Sequence, residues 1–365
     1  MSERGNRRNK LLDRYIGIPL TIPAAIVRLF ERRRIKKIDK MAILCMGAIG
    51  DTVLLSGLIS GLVNELGKGT IDIYTTKANS QAALLLPHIN TIHSYGISEI
   101  PYMIKDLRSH RYDLLLDSTQ WARMGAIISA FSRAGIIAGF KTEGQFRSLP
   151  YDIKIRHSDK VHEYKNFLAL GGVFYPNIDG QPFLIVPEVF AQLPGNPYIV
   201  CHMWATGSHE KSKQWGDDNW AELAGLFISR GYTVVWSGGA ADKERTEKFL
   251  LEYFPGNEYM INSAGKLSLL QTAAVLAKAD ALVSVDTGIK HIGSLLNVPT
   301  VGLHGPSNPI RWGPAGERSK AVHPAGAKMT LNLGFEKADE SSFSKYVKTE
   351  QVVKALEELG IALTG

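Results

Sequence analysis

The chain has 365 residues, a length that favours two domains over one. Its 45% apolar and 21% charged content exclude a disordered or fibrous chain and fit a globular protein with a full core. The formal charge of +7 is uneven. Residues 1–40 hold 12 Lys/Arg against 4 Asp/Glu, and the other 325 hold 30 against 31, so the basicity belongs to an N-terminal arm and not to the body.

The arm reads Arg7-Arg8-Asn9-Lys10, then a mostly apolar stretch over 15–30, then Arg32-Arg33-Arg34 and Lys36-Lys37. The stretch contains Pro19, Pro23 and Arg28 and is shorter than the roughly 20 apolar residues that span a bilayer. A secretory signal is one reading, but a tri-arginine follows in place of a small-x-small cleavage site. A basic arm without a lipid role is another. An amphipathic segment lying in the membrane interface, with basic flanks on anionic lipid, is the preferred one. Nucleic-acid binding is not expected, because the basic residues flank aliphatic side chains and no nucleic-acid-binding signature accompanies them. The two cysteines, Cys45 and Cys201, each fall in or at the end of an apolar run; they read as buried thiols in a reducing compartment.

From residue 41 short apolar runs alternate with longer amphipathic ones. Strands are predicted over 41–46, 70–75, 113–117 and 136–140, with helices over 52–66, 80–86 and 122–132. Residues 141–165 break the rhythm, being rich in Lys, Arg and His; they read as either a functional loop or a solvated excursion. A helix over 163–170 follows. Five prolines crowd 176–197 and mark the interdomain linker. Beyond it, strands are predicted over 198–202, 233–237, 281–285 and 300–303, and helices over 219–229, 242–253, 267–277, 287–297 and 349–359. This alternation predicts α/β domains with parallel sheets covered by helices. The expected divisions are 1–40, 41–185, 186–345 and a C-terminal helix over 346–365.

Chemistry-bearing residues gather where strands end. Gly47 and Gly50 permit a tight turn, and Asp51 opens the next helix. Asp51 is then either a general base or a helix cap. The loop contains neither the dinucleotide nor the P-loop glycine pattern. After 281–285 come Asp286, Thr287, Gly288 and His291. Thr287, His291 and Ser294 share a helical face, while Ile289, Ile292 and Leu296 point toward the core. The amides near Gly288 suit a diphosphate and Asp286 suits sugar hydroxyls; His291 is a ligand contact or a satisfied surface histidine. A third cluster is His202, Thr206, Ser208, Lys211, Lys213 and Trp215, a phosphate site or a solvated basic loop. A fourth runs from Ser237 to Asp242, whose carboxylate holds a ribose or caps a helix. The fifth, Gly305-Pro306-Ser307-Asn308-Pro309 with Arg311-Trp312-Gly313-Pro314, is rigid and suits a wall of the site. No Asp-x-Asp pair occurs, so no metal ion is implied, and a lysine with helix dipoles must meet the charge of a leaving group.

These residues resemble glycosyltransferase family nine, the heptosyltransferases. The likeness rests on Gly47-Ala48-Ile49-Gly50-Asp51, Lys213-Gln214-Trp215, Val285-Asp286-Thr287-Gly288 with His291, Pro299-Thr300-Val301 and Gly305-Pro306, in that order over roughly residues 40–315. The resemblance implies a GT-B fold: two Rossmann-like domains with parallel sheets facing across a cleft, acceptor on the N-terminal one and nucleotide-sugar donor on the C-terminal one. It implies inverting, metal-independent transfer of heptose or a related sugar from an ADP-sugar to a lipopolysaccharide or other surface glycan. Asp51 takes the place of the catalytic base. Lys213 takes that of the diphosphate contact, with Thr206 and Ser208 as helpers. Asp286, Thr287, Gly288 and His291 form the donor motif, and Asp242, or alternatively Glu244, meets the ribose. Cys45, Gly216 and Lys290 depart from the residues common at their positions, a basic residue, a proline and an apolar residue. The resemblance places the enzyme on the cytoplasmic face of the inner membrane, with a lipid-linked or oligosaccharide acceptor. The rival expectations are a nucleotide-sugar epimerase of the same architecture and a non-catalytic glycan-assembly scaffold.

Overall fold

The apolar runs that read as buried strands are the central strands of two parallel sheets. The computed structural model describes residue 11 and residues 13–32, 34–67, 69–191, 194–195, 197–205, 210–324, 343 and 346–363. The chain separates into two units, Met1–Pro182 and Phe183–Gly365, whereas the proline-rich stretch placed the boundary at 185/186.

The first unit begins with helix α1 (Ile18–Glu31), led in by a π-helical stretch, Asp13–Gly17. It continues through β1 (Lys40–Cys45), α2 (Ile49–Leu54), α3 (Ser56–Leu66), β2 (Thr70–Thr76), α4 (Ser80–Ala83), β3 (Thr91–Tyr95), α5 (Ile100–His110), β4 (Leu114–Asp117), α6 (Arg123–Ala130), β5 (Ile136–Lys141), β6 (Ile153–Arg156) and α7 (Glu163–Gly172). The sheet order is β3-β2-β1-β4-β5-β6, with every pairing parallel.

The second unit runs β7 (Tyr198–His202), α8 (Asp217–Ser229), β8 (Thr233–Trp236), α9 (Lys243–Tyr253), β9 (Met260–Asn262), α10 (Leu269–Leu276), β10 (Ala281–Val285), α11 (Gly288–Leu295), β11 (Thr300–Leu303), α12 (Pro309–Trp312), β12 (Ser319–Val322) and α13 (Thr349–Glu357). Its order is β12-β11-β10-β7-β8-β9, the same winding as the first sheet viewed from the other edge. In each sheet the direction of winding reverses at one place, beside β1 and β4 or beside β7 and β10. Ligands of open α/β sheets bind at such switch points, at the carboxyl ends of the strands.

β1 and β10 are buried on both faces, Met41 through Cys45 and Ala281 through Val285, as strands at the middle of a helix-covered parallel sheet must be. The sequence reading missed β3, β6, β9 and β12, the four edge strands. An edge strand has a neighbour on one side only and keeps polar positions, so the continuous apolar signal is absent. The stretch 141–165 is not simply a solvated excursion: it holds β6, and Arg147 and Glu163 within it are buried.

The described part of the arm, expected as a segment of its own, belongs to the first unit. α1 packs against α6, and its Arg28 is buried, donating to the carbonyls of Ala134 at 2.6 Å and Gly135 at 2.7 Å and pairing with Asp152. α13 likewise packs on α8, β11 and β12 within the second unit.

Candidate active site

In the first unit the turn after β1 is shaped by Gly47. A Cβ there would stand 2.7 Å from the Cβ of Asp51, so only glycine lets the carboxylate fold back over the turn. Asp51 Oδ2 accepts the Ala48 N–H at 2.7 Å, which satisfies one of the free amides that open α2. This is the cap that the residue type allowed. Asp51 Oδ1 accepts the side-chain amide of Gln120 at 3.2 Å. Gln120 lies in the loop after β4 and is 3% exposed; its carbonyl is held by Thr142 Oγ1 at 2.8 Å. Sequence reasoning missed Gln120, because nothing local ties residue 120 to residue 51. The two meet because β1 and β4 are neighbours, with Leu44 opposite Asp117.

Below this loop lies a buried trio that was also missed. Arg147 Nη2 donates to Asp117 Oδ2 at 2.7 Å, and Tyr151 Oη donates to the same oxygen at 2.6 Å. Burial pushes the Tyr151 hydroxyl well above its usual value, so it stays a donor. The trio ties β4 to the segment before β6 and fixes the loop that carries Gln120.

In the second unit two motifs 73 residues apart meet. Lys213 Nζ lies 2.8 Å from Asp286 Oδ2 and 3.4 Å from the Asp286 carbonyl. The intervening Trp215 explains how the lysine is placed. Its indole is fully buried and donates to the Val347 carbonyl at 2.8 Å, so the chain is anchored one residue past Gln214. Gly216 follows at φ +96°, a conformation closed to proline, which accounts for that departure from the family pattern. The turn before α8 is simply of another kind here.

Asp286 also accepts from Lys290 at 2.6 Å. The sequence reading placed Ile289, Ile292 and Leu296 toward the core. Ile292 is fully buried, but Ile289 and Leu296 are half-buried and Lys290 is completely enclosed. Gly302 makes the room, since a Cβ there would meet the lysine stem at 2.6 Å. The three N–H bonds of Lys290 go to Asp286, to His304 Nε2 at 3.2 Å and to the Trp312 carbonyl. His304 therefore accepts at Nε2, and its Nδ1 donates to Ser307 Oγ at 3.1 Å. The rigid 305–314 segment is thus joined to the donor motif.

The electrostatics follow from the packing. Burial alone would raise the Asp286 carboxyl, but the Lys213 and Lys290 ammoniums outweigh it and hold the group well below the usual carboxylate range. Burial pulls Lys290 below its ordinary value against the attraction of Asp286. Burial, with Lys290 alongside, keeps His304 neutral. Burial also lowers His202, to about 4; its Nδ1 lies 2.9 Å from Ser237 Oγ.

The other expected residues fall as follows. Thr287 precedes α11, its hydroxyl 3.4 Å from Ser284 Oγ, and Gly288 opens the helix. His291 is buried at 3% exposure, which overturns the surface-histidine reading. Asp242 caps its own turn, accepting the Gly239 N–H at 2.7 Å, while its other oxygen is paired with Arg245, 3.0 Å from Nε. Those partners give the carboxylate a structural task. Thr206 and Ser208 lie outside the described residues. Both cysteines are buried free thiols, raised above their ordinary values by burial. Among the described residues no group of three or more His, Cys, Asp and Glu could hold a metal ion.

Two Rossmann-like units, with strand-end loops bearing a capping carboxylate in one and a lysine–carboxylate pair in the other, are those of a GT-B glycosyltransferase. Residues 101–332 match glycosyltransferase family 9 (heptosyltransferase), and the chain belongs to that family. It is 32% identical to lipopolysaccharide heptosyltransferase 2 of Salmonella typhimurium, over 77% of this chain and 88% of that protein. A shorter stretch, 32% of this chain and only 31% of the relative, is 41% identical to lipopolysaccharide heptosyltransferase 1 of Pseudomonas aeruginosa. Among solved structures, the Escherichia coli heptosyltransferase WaaC with ADP is similar at a TM-score of 0.68 and 19% identity, covering 88% of this chain and 99% of that one.

Proposed function

We propose that this glycosyltransferase moves heptose from ADP-heptose to a lipopolysaccharide acceptor, with inversion and without a metal ion. The acceptor hydroxyl gives its proton to Asp51, and its oxygen bonds to the anomeric carbon. The bond from that carbon to the diphosphate breaks, and ADP leaves. Lys213 and the amides that open α11 take up the negative charge on the leaving group. Asp286, with Lys290 behind it, holds the Lys213 ammonium in place and offers a carboxylate to sugar hydroxyls. The observation that carries this reading is the 2.8 Å contact of Lys213 with Asp286, which brings the two most specific motifs to one point. The adenine base is supported by the relative solved with ADP.

The test is turnover with a heptose-lacking lipopolysaccharide acceptor, in the presence of a chelator, across ADP-, UDP- and GDP-sugars. Release of ADP that needs acceptor, and a product of anomeric configuration opposite to the donor's, are expected. Replacing Lys213 by Ala should lower kcat/KM by about 100-fold. Loss of turnover with the chelator would remove the metal-free step, and consumption of donor without acceptor would replace transfer by epimerisation.

A further inference from the structure

α1 is inside out for a helix on a water-facing surface. Its inward residues are Thr21, Ala24 and Arg28, all buried, and it is held to the first unit mainly by ions. Asp13 takes Arg123 at 2.8 Å where the helical segment begins. Arg28, in the last turn, is clamped on Asp152 and two carbonyls. Glu31 takes Arg108 at 3.0 Å and Arg133 at 3.1 Å, and Arg32 reaches Asp152 at 2.8 Å, where it ends.

The outward side is apolar. Phe30 is 85% exposed and Tyr15 71%, and Leu20, Ile22, Ile26 and Leu29 are each about half exposed or more. Residues 15, 19, 22, 26 and 30 recur at helical spacing and make one stripe of Tyr, Pro, Ile, Ile and Phe. A soluble surface helix puts its apolar stripe toward the core and its charges toward water. Single exposed apolar residues need no explanation, but a continuous stripe marks an interaction surface.

The surroundings select the occupant. Arg14, Arg34 and Lys36 are exposed around the two ends of the stripe, and residues 1–40 carry eight more positive than negative side chains. A second copy would bring like charge against like, whereas an anionic lipid surface brings the opposite sign. The 14 residues of α1 reach about 21 Å, short of the roughly 30 Å of a hydrocarbon core, so the helix fits in the plane of the interface and not across it.

We propose that α1 docks the protein on an anionic membrane, with Tyr15, Ile22, Ile26 and Phe30 among the acyl chains and the flanking arginines and lysines on the headgroups. The ionic straps are what keep this face outward, since they occupy the polar side of the helix. The proposal goes beyond the transfer reaction and rests on neither the donor nor the base.

The experiment is flotation of the full-length protein with vesicles of phosphatidylethanolamine and phosphatidylglycerol, and with phosphatidylcholine alone. Wild type should float with the anionic vesicles and much less with the neutral ones. Combined Ile22→Asp and Ile26→Asp should lower binding about tenfold or more, while the thermal melt and turnover on a lipid-free acceptor stay as in wild type. Should that variant not fold, Phe30→Ser is read in its place and must also weaken binding. Wild type that stays with the soluble fraction, or variants that float as well as wild type, would overturn the proposal. So would a wild-type dimer in sedimentation that these substitutions dissociate and that shows no affinity for vesicles.

Discussion

The turns at Asp51 and Asp242 are built alike and end differently. Each follows a strand, each carries a glycine whose Cβ would stand 2.7 Å from the aspartate Cβ, and in each the aspartate accepts a backbone N–H at 2.7 Å. Asp51 then receives the neutral amide of Gln120, whereas Asp242 is paired with the guanidinium of Arg245, which itself stacks 4.2 Å over Trp204. One local motif therefore gives a carboxylate with a soft partner in one unit and an ion-paired strut in the other. The motif secures the cap, and the second partner, which comes from elsewhere in the chain, decides what else the group is able to do.

The largest expected effect separates these two residues. Asp51→Asn should lower kcat by roughly 10²- to 10⁴-fold with little change in the melt, because asparagine still caps. Asp242→Asn should leave kcat within a few-fold and lower unfolding free energy by about 1–3 kcal/mol, measured by urea titration. Equal losses of activity in both would erase the distinction.

The two lysines on Asp286 make the same comparison in the opposite charge. Lys290 is enclosed and Lys213 keeps 23% of its side chain exposed. Lys290→Met should cost about 1–3 kcal/mol of stability, since His304 and the Trp312 carbonyl lose their donor, with a modest change in kcat/KM. Lys213→Met should do the reverse, with the loss shared between kcat and donor affinity in calorimetry. Lys290→Met as damaging to donor binding as Lys213→Met would place the enclosed lysine in the site itself.

The most gradual effect is the dependence on acid, which is spread over several pH units. His202 is lowered to about 4 and His304 lies well below its ordinary 6.5, so the unfolded chain takes up protons first as pH drops below about 6.5. The stability of the neutral histidines is present above that pH and is lost below it, at up to about 1.4 kcal/mol per pH unit for each group. Asp286, held low, adds a loss in the same direction at more acidic pH. His202→Gln should flatten the slope of Tm against pH from 6.5 to 4. An unchanged slope would mean that His202 is not neutral when folded.

What was legible follows from how local each signal is. Central strands such as β1 and β10 are apolar throughout because both faces are covered, and they were read directly. Edge strands β3, β6, β9 and β12 were not, because their environment is half solvent. Asp51, Lys213 and Asp286 stand in motifs and are legible as candidates; Gln120, the Asp117–Arg147–Tyr151 trio and the Lys290–His304 contact depend on which strands lie side by side. Arg28 shows the limit most clearly. In sequence it interrupts an apolar run, and in the structure it is the inward clamp that turns that run outward.

By itself the sequence determined two α/β units, their central strands, the glycine turns and the family's motif residues, all of which are set by periodicity and by short-range geometry. Only the tertiary structure decided which partner each charged group meets. It joined Lys213 to Asp286, enclosed Lys290 over Gly302, neutralised Asp242 with Arg245 and faced the apolar stripe of α1 away from the sheet. A carboxylate or ammonium acquires its role from the charge and solvent within a few ångströms, and in a wound parallel sheet those neighbours come from residues distant in the chain.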